Sequence, residues 1–167
     1  MSHYALFESP VGRIWVTAND AGLTGLYMRD EAPSEGFLDG LTHAPDALEP
    51  VGQQLAEYFS GTRREFDVSV APEGTPFQRA VWEQLQAIPY GTTTSYGEIA
   101  RRLGNPNAMR AVGMANNANP VSIIIPCHRV IGANGSLVGF GAGLARKRAL
   151  LALESDQTGL FPLSSGL

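Results

Sequence analysis

The chain has 167 residues, 44% of them hydrophobic and 17% charged, with one cysteine, three histidines and a formal net charge of −4 at pH 7. These are globular values, which exclude wholesale disorder and allow one or two small domains around a sizeable core. A lone cysteine excludes an internal disulfide and a Cys₄ or Cys₂His₂ zinc site, and the longest apolar runs fall far short of the ~20 residues of a membrane span. No signal-peptide pattern is visible at residues 1–4. The expectation is a soluble, cytoplasmic protein without a structural metal.

Tyr4 to Glu8, Arg13 to Ala18 and Leu23 to Met28 are short runs rich in β-branched and aromatic residues, divided by Ser9-Pro10-Val11-Gly12 and Asn19-Asp20-Ala21-Gly22. That pattern predicts a meander of three strands. Residues 31–49, dense in Pro, Gly, Asp and Ala, predict a mobile loop. Val51, Leu55, Tyr58 and Phe59 then recur at helical spacing, and Gly61 ends the helix. Nothing in this half points to chemistry.

Ala71-Pro72-Glu73-Gly74 is the expected linker, dividing a small N-terminal α/β domain (1–72) from a second domain (73–167). Thr75-Pro76-Phe77-Gln78 reads as a capping box with Pro at the first helical position, and Phe77, Val81, Trp82 and Leu85 form the apolar face of the helix it opens. Ser95-Tyr96-Gly97-Glu98 is a second capping box. Its helix runs through Ile99, Ala100 and Leu103 to Gly104, and Asn105-Pro106 starts another reaching about Asn116. Two short helices joined by a tight turn have the form of a helix-turn-helix. The second is nearly bare, with Ala108, Ala111, Gly113 and Ala115 along it and Arg110 as its only charge. Small residues let a helix approach either another helix or a nucleic-acid groove closely.

The charge distribution bears on that choice. Residues 1–72 hold four basic and eleven acidic residues, a net of −7, whereas residues 73–167 hold eight basic and five acidic, a net of +3. All the basic residues except Lys147 are arginines, whose planar forks suit phosphate and base contacts. Two solvated surfaces of different composition would give the same asymmetry.

The run from Asn119 to Val130 carries the chemistry. Its apolar stretch, Val121 to Ile125, predicts a buried strand that leads through Pro126 to the chain's single cysteine, Cys127, and its neighbour His128. A lone cysteine is usually an inert core residue. One set beside a histidine, where a rigid element meets a loop, is a candidate nucleophile. Neighbours in an extended segment point to opposite sides, so a water is the easier bridge from the thiol to His128. His128 would in turn need an acid to orient it, and Glu154 and Asp156 are the two carboxylates that follow it in the sequence. Glu154 ends a helix starting at Leu144, with Leu144, Leu150 and Leu151 on its apolar face.

Pro126-Cys127-His128-Arg129-Val130 resembles the active-site signature of the O6-alkylguanine-DNA alkyltransferases, the methylated-DNA–protein-cysteine methyltransferases. The resemblance extends through Thr75 to Gln78, Ile88 to Gly91, Ser95 to Ala100, Gly104 to Pro106, Arg110 to Gly113, Asn119-Pro120, Gly139 to Leu144 and Lys147 to Glu154. It covers nearly all of the second half in matched order, and the first half is compatible with the family's variable N-terminal domain. What it implies is an α/β protein: a small N-terminal α/β domain with an antiparallel sheet, then a mostly helical domain with a helix-turn-helix and a short active-site strand.

The implied function is direct repair of double-stranded DNA, with O6-alkylguanine as substrate and O4-alkylthymine as a further candidate. The base is flipped into a pocket and its alkyl group moves irreversibly to a cysteine, once per molecule, with no cofactor, no metal, no membrane and no obligatory protein partner for a monomeric protein. By position, Cys127 is the nucleophile, His128 the water-bridged base, Glu154 its orienting acid, Asn119 the hinge to the active-site strand and Tyr96 the proton donor to the guanine oxygen. DNA would be held by Tyr96, Asn105, Ala111 and Gly113, with Arg110 as the finger that fills the gap left by the flipped base. The pocket would be lined by Tyr96, Pro126, Val130, Phe140 and Gly141. Phe140 stands where relatives often carry Tyr, and Asn117 where some carry a basic residue. A plain helix-turn-helix regulator and a Cys–His acyl hydrolase are the competing classes. The first predicts binding indifferent to alkylated guanine, and the second lacks an obvious oxyanion-hole loop.

Overall fold

β-branched and aromatic residues of the first thirty positions pair as strands because each can set one side into a common core. The computed structural model describes residues 1–137 and 140–155. Gly139 of the motif above and Asp156 lie outside the described residues. β1 (His3–Phe7), β2 (Ile14–Asn19) and β3 (Gly22–Met28) form the expected antiparallel meander, with Ala5 opposite Val16 and Val16 opposite Leu26. The Asn19 carboxamide closes the β2–β3 turn by accepting from the amides of Ala21 (2.8 Å) and Gly22 (3.2 Å). At Gly22, with φ of +149°, a Cβ would sit 2.6 Å from the Ser69 carbonyl oxygen, so the segment after α1 lies where only glycine fits.

The segment expected to be a loop contains a fourth strand, β4 (Thr42–His43), which pairs parallel with β1 and gives the sheet order β3-β2-β1-β4. Two exposed residues give no periodicity to read, which is why the sequence concealed it. α1 (Glu49–Phe59) buries Val51, Leu55, Tyr58 and Phe59, as its spacing predicts.

In the second half α2 (Pro76–Gln86) has its capping box complete: the Thr75 side chain accepts from the Gln78 amide and the Gln78 side chain accepts from the Thr75 amide. Val81, Trp82 and Leu85 are buried, but Phe77, expected on the same face, is 37% exposed because it sits in the first turn, short of the core. β5 (Thr94–Ser95) leads into α3 (Tyr96–Arg102). Only half of the second capping box forms. Ser95 accepts from the Glu98 amide, while the Glu98 carboxylate is taken by Arg101 and Arg102. α4 (Met109–Asn117) starts later than Asn105-Pro106, because residues 105–108 make a turn in which the Ala108 amide donates to the Asn105 carbonyl. The indole of Trp82 fastens α2 to α4 by donating to the Ala115 carbonyl at 2.8 Å.

The apolar run at 121–125 is not the expected strand. Val121 makes a single parallel bridge to Leu26, and the chain then coils through turns in which Ile123 adopts φ of 72°. The composition reflects burial on all sides, not a ladder. Cys127–Arg129 is one turn of 3₁₀ helix, followed by β6 (Val130–Ile131), which pairs parallel with β5. α5 (Leu144–Ser155) buries Lys147, Leu150, Leu153 and Glu154, whereas Leu144 is exposed and Leu151 half-buried. The apolar stripe is therefore rotated from the one expected. The core is continuous, running from Ile14, Val16 and Leu55 in the first half to Trp82, Ile125 and Leu150 in the second.

Thr75→Ala removes the side-chain cap of α2 and should cost about 1 kcal/mol, lowering the melting temperature by roughly 2–4 °C. Calorimetry of the two proteins checks it.

Candidate active site

Asn119 builds the turn that presents the cysteine. Its Oδ1 accepts from the Val121 amide (3.0 Å) and its Nδ2 donates to the Ile125 carbonyl (2.7 Å), so one carboxamide braces both ends of the coil. A β-branched residue in the left-handed region costs on the order of 1–3 kcal/mol and persists only where its surroundings over-determine it. Here burial of Ile123 and the Asn119 brace do so.

Cys127, 4% exposed, opens onto a cleft of about 590 Å³, within the usual range for ligand pockets of roughly 300–1,000 Å³. One wall carries Asn116, Asn119, Ser122, Phe140 and Gly141, and the other is the end of β3, Tyr27 to Met28, with Arg29 to Glu31. Burial pushes the Cys127 thiol up from its ordinary value. Hydrogen bonds from Asn119 and Ser122 and the charge of Lys147 act the other way without overcoming it. Lys147 is itself fully buried, its Nζ 6.0 Å from the centre of the Phe140 ring. The thiol therefore rests protonated and needs a base to become a nucleophile.

His128 adjoins the thiol in the chain. It is fully buried, its Nε2 lies 2.7 Å from Glu154 Oε2, and its Nδ1 has no hydrogen-bond partner among the described residues. No hydrogen bond joins Cys127 to His128 among those residues. Glu154 is held by more than His128. Arg129 donates from Nε to Oε1 (2.8 Å) and from Nη2 to Oε2 (3.0 Å), and Tyr58 donates to Oε2 at 2.6 Å. Burial alone would raise this carboxyl, but the charge and hydrogen bond of His128 and the Arg129 guanidinium outweigh it and lower it to about 2. Glu154 thus stays ionised and can only accept, so His128 Nε2 must carry a proton. In neutral His128 the free Nδ1 is then the acceptor.

Tyr96 is half-buried at the start of α3, one residue beyond the Ser95–Ile131 pair that joins β5 to β6. Burial and the charge of Cys127 raise its phenol above the usual value, so it is a proton carrier at neutral pH. Gly113 of α4 faces it: a Cβ there would meet the Tyr96 ring at 3.9 Å. Arg110 and Ala111 are exposed on α4 and Asn105 on the turn before it, and Arg110 makes no hydrogen bond or ion pair among the described residues. Of the residues expected in the pocket, Phe140 and Gly141 line the cleft with Cys127. Tyr96, Pro126 and Val130 do not. Pro126 borders a separate cavity with Tyr90 and Arg129, and Val130 is held in the core by its pairing with Thr94.

Sequence reasoning gave no role to Lys147, Arg129 or Tyr58. Lys147 had a signal, since it shares a helical stripe with Leu150 and Glu154 at spacings of three and seven. Tyr58 had none, lying 96 residues from its partner.

A buried cysteine beside a histidine–carboxylate pair, next to two short helices joined by a tight turn, is the layout of a candidate nucleophile set beside a helix-turn-helix form. Two family models cover almost the whole chain: "6-O-methylguanine DNA methyltransferase, ribonuclease-like domain" over residues 2–72 and "6-O-methylguanine DNA methyltransferase, DNA binding domain" over residues 76–156. The chain belongs to the 6-O-methylguanine DNA methyltransferase family. It is 49% identical to a methylated-DNA–protein-cysteine methyltransferase of Methanosarcina acetivorans, over 92% of this chain and 99% of that one. Its fold matches a crystal structure of Mycobacterium tuberculosis OGT in complex with DNA with a TM-score of 0.86 and 46% identity, over 95% of this chain and 94% of that one.

Because Glu154 is depressed in the folded state, its contribution to stability is present above about pH 4.5 and is lost as pH falls towards 2. Glu154→Gln should lose about 3 kcal/mol near neutral pH while keeping the fold, and the gap to wild type should shrink at pH 3. Urea unfolding at the two pH values measures it.

Proposed function

We propose that Cys127 is the residue on which the family's reaction, transfer of an alkyl group from damaged DNA to a protein cysteine, ends in this chain. The observation that carries this reading is the pairing of a cleft-facing buried thiol with a neighbouring histidine whose Nε2 is fixed on an ionised carboxylate and whose buried Nδ1 has no partner among the described residues. A plain regulator would have no use for a buried ionised hub next to its cysteine.

His128 takes the thiol proton at Nδ1, with a water as the bridge, and Glu154 stabilises the resulting imidazolium. The thiolate attacks the alkyl carbon of O6-alkylguanine, the carbon–oxygen bond breaks, and Tyr96 gives the proton that the leaving oxygen needs. The phenol is restored from the imidazolium, so the proton lost by Cys127 ends on the base. Lys147 favours the thiolate through its charge. The thioether product has no ionisable proton and is a poor leaving group, so each molecule reacts once.

A base inside a duplex cannot reach a buried thiol, which requires flipping, at a cost of a few kcal/mol. α4, with its small residues and exposed Arg110, is the element that enters the DNA, and Arg110 fills the vacated space. Asn105, Ala111 and Gly113 border the DNA path, while Phe140 and Gly141 flank the extruded base. The division of labour falls at residues 72 and 73: the first part supports the cleft and the second binds DNA and reacts. Among the described residues no helix is long and apolar enough to cross a membrane. We place the chain in the cytoplasm, acting as a monomer.

Incubation with a duplex carrying O6-methylguanine should add about 14 Da to the peptide containing Cys127, at one equivalent and no more. Cys127→Ser should take up nothing, and turnover beyond one equivalent would overturn the assignment. Glu154→Gln should slow transfer more than about tenfold in single-turnover assays.

Arg110→Ala should slow repair of duplex DNA at least about tenfold more than reaction with free O6-benzylguanine, which needs no flipping. A mere phosphate contact would instead give a modest loss recovered at low salt. Equal losses on the two substrates would remove Arg110 from the finger role.

A further inference from the structure

The carboxylate that orients His128 is also held from the other half of the chain. Tyr58, on α1, is fully buried and donates to Glu154 Oε2 at 2.6 Å, the same oxygen that accepts from His128 Nε2 at 2.7 Å and Arg129 Nη2 at 3.0 Å. Three donors on one carboxylate oxygen fill its acceptor capacity and leave the carboxylate one orientation. The Tyr58 ring is fixed in turn, with Phe59, Phe66 and Tyr90 at centroid distances of 5.2, 5.4 and 6.2 Å, and Arg129 lies 5.7 Å from the centre of Tyr90. A hydroxyl this short of freedom is costly to bury unless it bonds, and the nearest acceptor is the carboxylate of the relay.

We infer that Tyr58 is a positioning residue for alkyl transfer: its hydroxyl pins Glu154 Oε2 so that the His128 ring, whose tautomer the ionised carboxylate already sets, is held in the one orientation that serves the Cys127 proton. The inference rests on the Cys127–His128–Glu154 reading above. The first part of the chain thereby supplies a hydrogen bond to the proton relay itself, although nothing in its own sequence bears chemistry. Burial and the neighbouring Glu154 charge raise the Tyr58 phenol well above its usual value, so it remains a donor across the working pH range. Without that donor Glu154 stays ionised on its Arg129 pair and keeps His128 in the Nε2–H form, but it loses its fixed tilt and the imidazole ring shifts with it.

Tyr58→Phe removes one oxygen and keeps the packed ring. The rate of alkylation should fall roughly fivefold to twentyfold, equally with an O6-methylguanine duplex and with free O6-benzylguanine, because the defect lies in proton transfer and not in flipping. In long-range ¹H–¹⁵N spectra the ring nitrogens of His128 should shift from their wild-type values, the Nε2 resonance most, because its hydrogen bond to Glu154 changes geometry while the tautomer stays the same. Site-specific 3-fluorotyrosine at position 58, which keeps packing and is a stronger donor, should restore the rate and shift the ring nitrogens from their wild-type values. Wild-type rate in Tyr58→Phe, or a slower rate with unmoved ring nitrogens, would overturn the proposal. Should Tyr58→Phe not fold, unmoved ring nitrogens in the fluorotyrosine protein would overturn it alone. Methylation of Cys127 in the unmodified protein, measured alongside, tests the underlying reading separately.

Discussion

The 3₁₀ turn that carries Cys127 and His128 is tied down by a buried ionised carboxylate. Glu154 lies at the end of α5 and receives Arg129 and His128 from the 3₁₀ turn and Tyr58 from α1. An ionised carboxylate is costly to bury, and only dense donation makes it tolerable. The same donation fixes its charge, and the charge fixes which nitrogen of His128 carries a proton. In the proposed reaction a requirement of stability thus sets the direction of proton flow from Cys127. Arg129 adds a further tie by donating from Nη1 to the Ile88 carbonyl at 2.7 Å, linking the turn to the end of α2.

A second constraint lies on the other side of Cys127. The coil from Val121 to Ile125 holds Ile123 in a backbone region that a β-branched residue avoids, braced by Asn119. The hydrogen bond of Asn119 to Cys127, with that of Ser122, lowers the cost of ionising the thiol, so one side chain both shapes the turn and favours the reactive form of the cysteine. Since Asn119 follows α4 directly, the element proposed to meet DNA and the element that presents the thiol share a single joint. Displacing α4 would act on the turn that carries Cys127.

The first half contributes structure to the cleft as well as to the hub. The end of β3 forms one wall. Arg146 of α5 reaches back to it, donating to the Val11 carbonyl at 2.7 Å and to the Met28 carbonyl at 3.1 Å, and pairing with Asp30 at 3.2 Å. From its other guanidinium contact, on the Ala142 carbonyl at 3.3 Å, it holds the stretch that follows Phe140 and Gly141. A domain that reads as chemically silent is therefore part of the pocket's frame.

By itself the sequence determined the three-strand meander, α1, the Thr75-capped helix, the two short helices and the adjacency of Cys127 and His128. Each of these depends on spacing or capping within a few residues, where propensity and periodicity act directly. The turn geometry at 121–125, the two-residue β4, the inward set of Lys147 and the exposure of Phe77 and Leu144 were decided by tertiary structure. An apolar run is the same whether it is buried in a ladder or in a coil, and only its neighbours choose between them. The bond from Tyr58 to Glu154 is the extreme case. It joins residues 96 positions apart, and its existence depends on how α1 and α5 pack into one core, a relation that no local pattern of residues encodes.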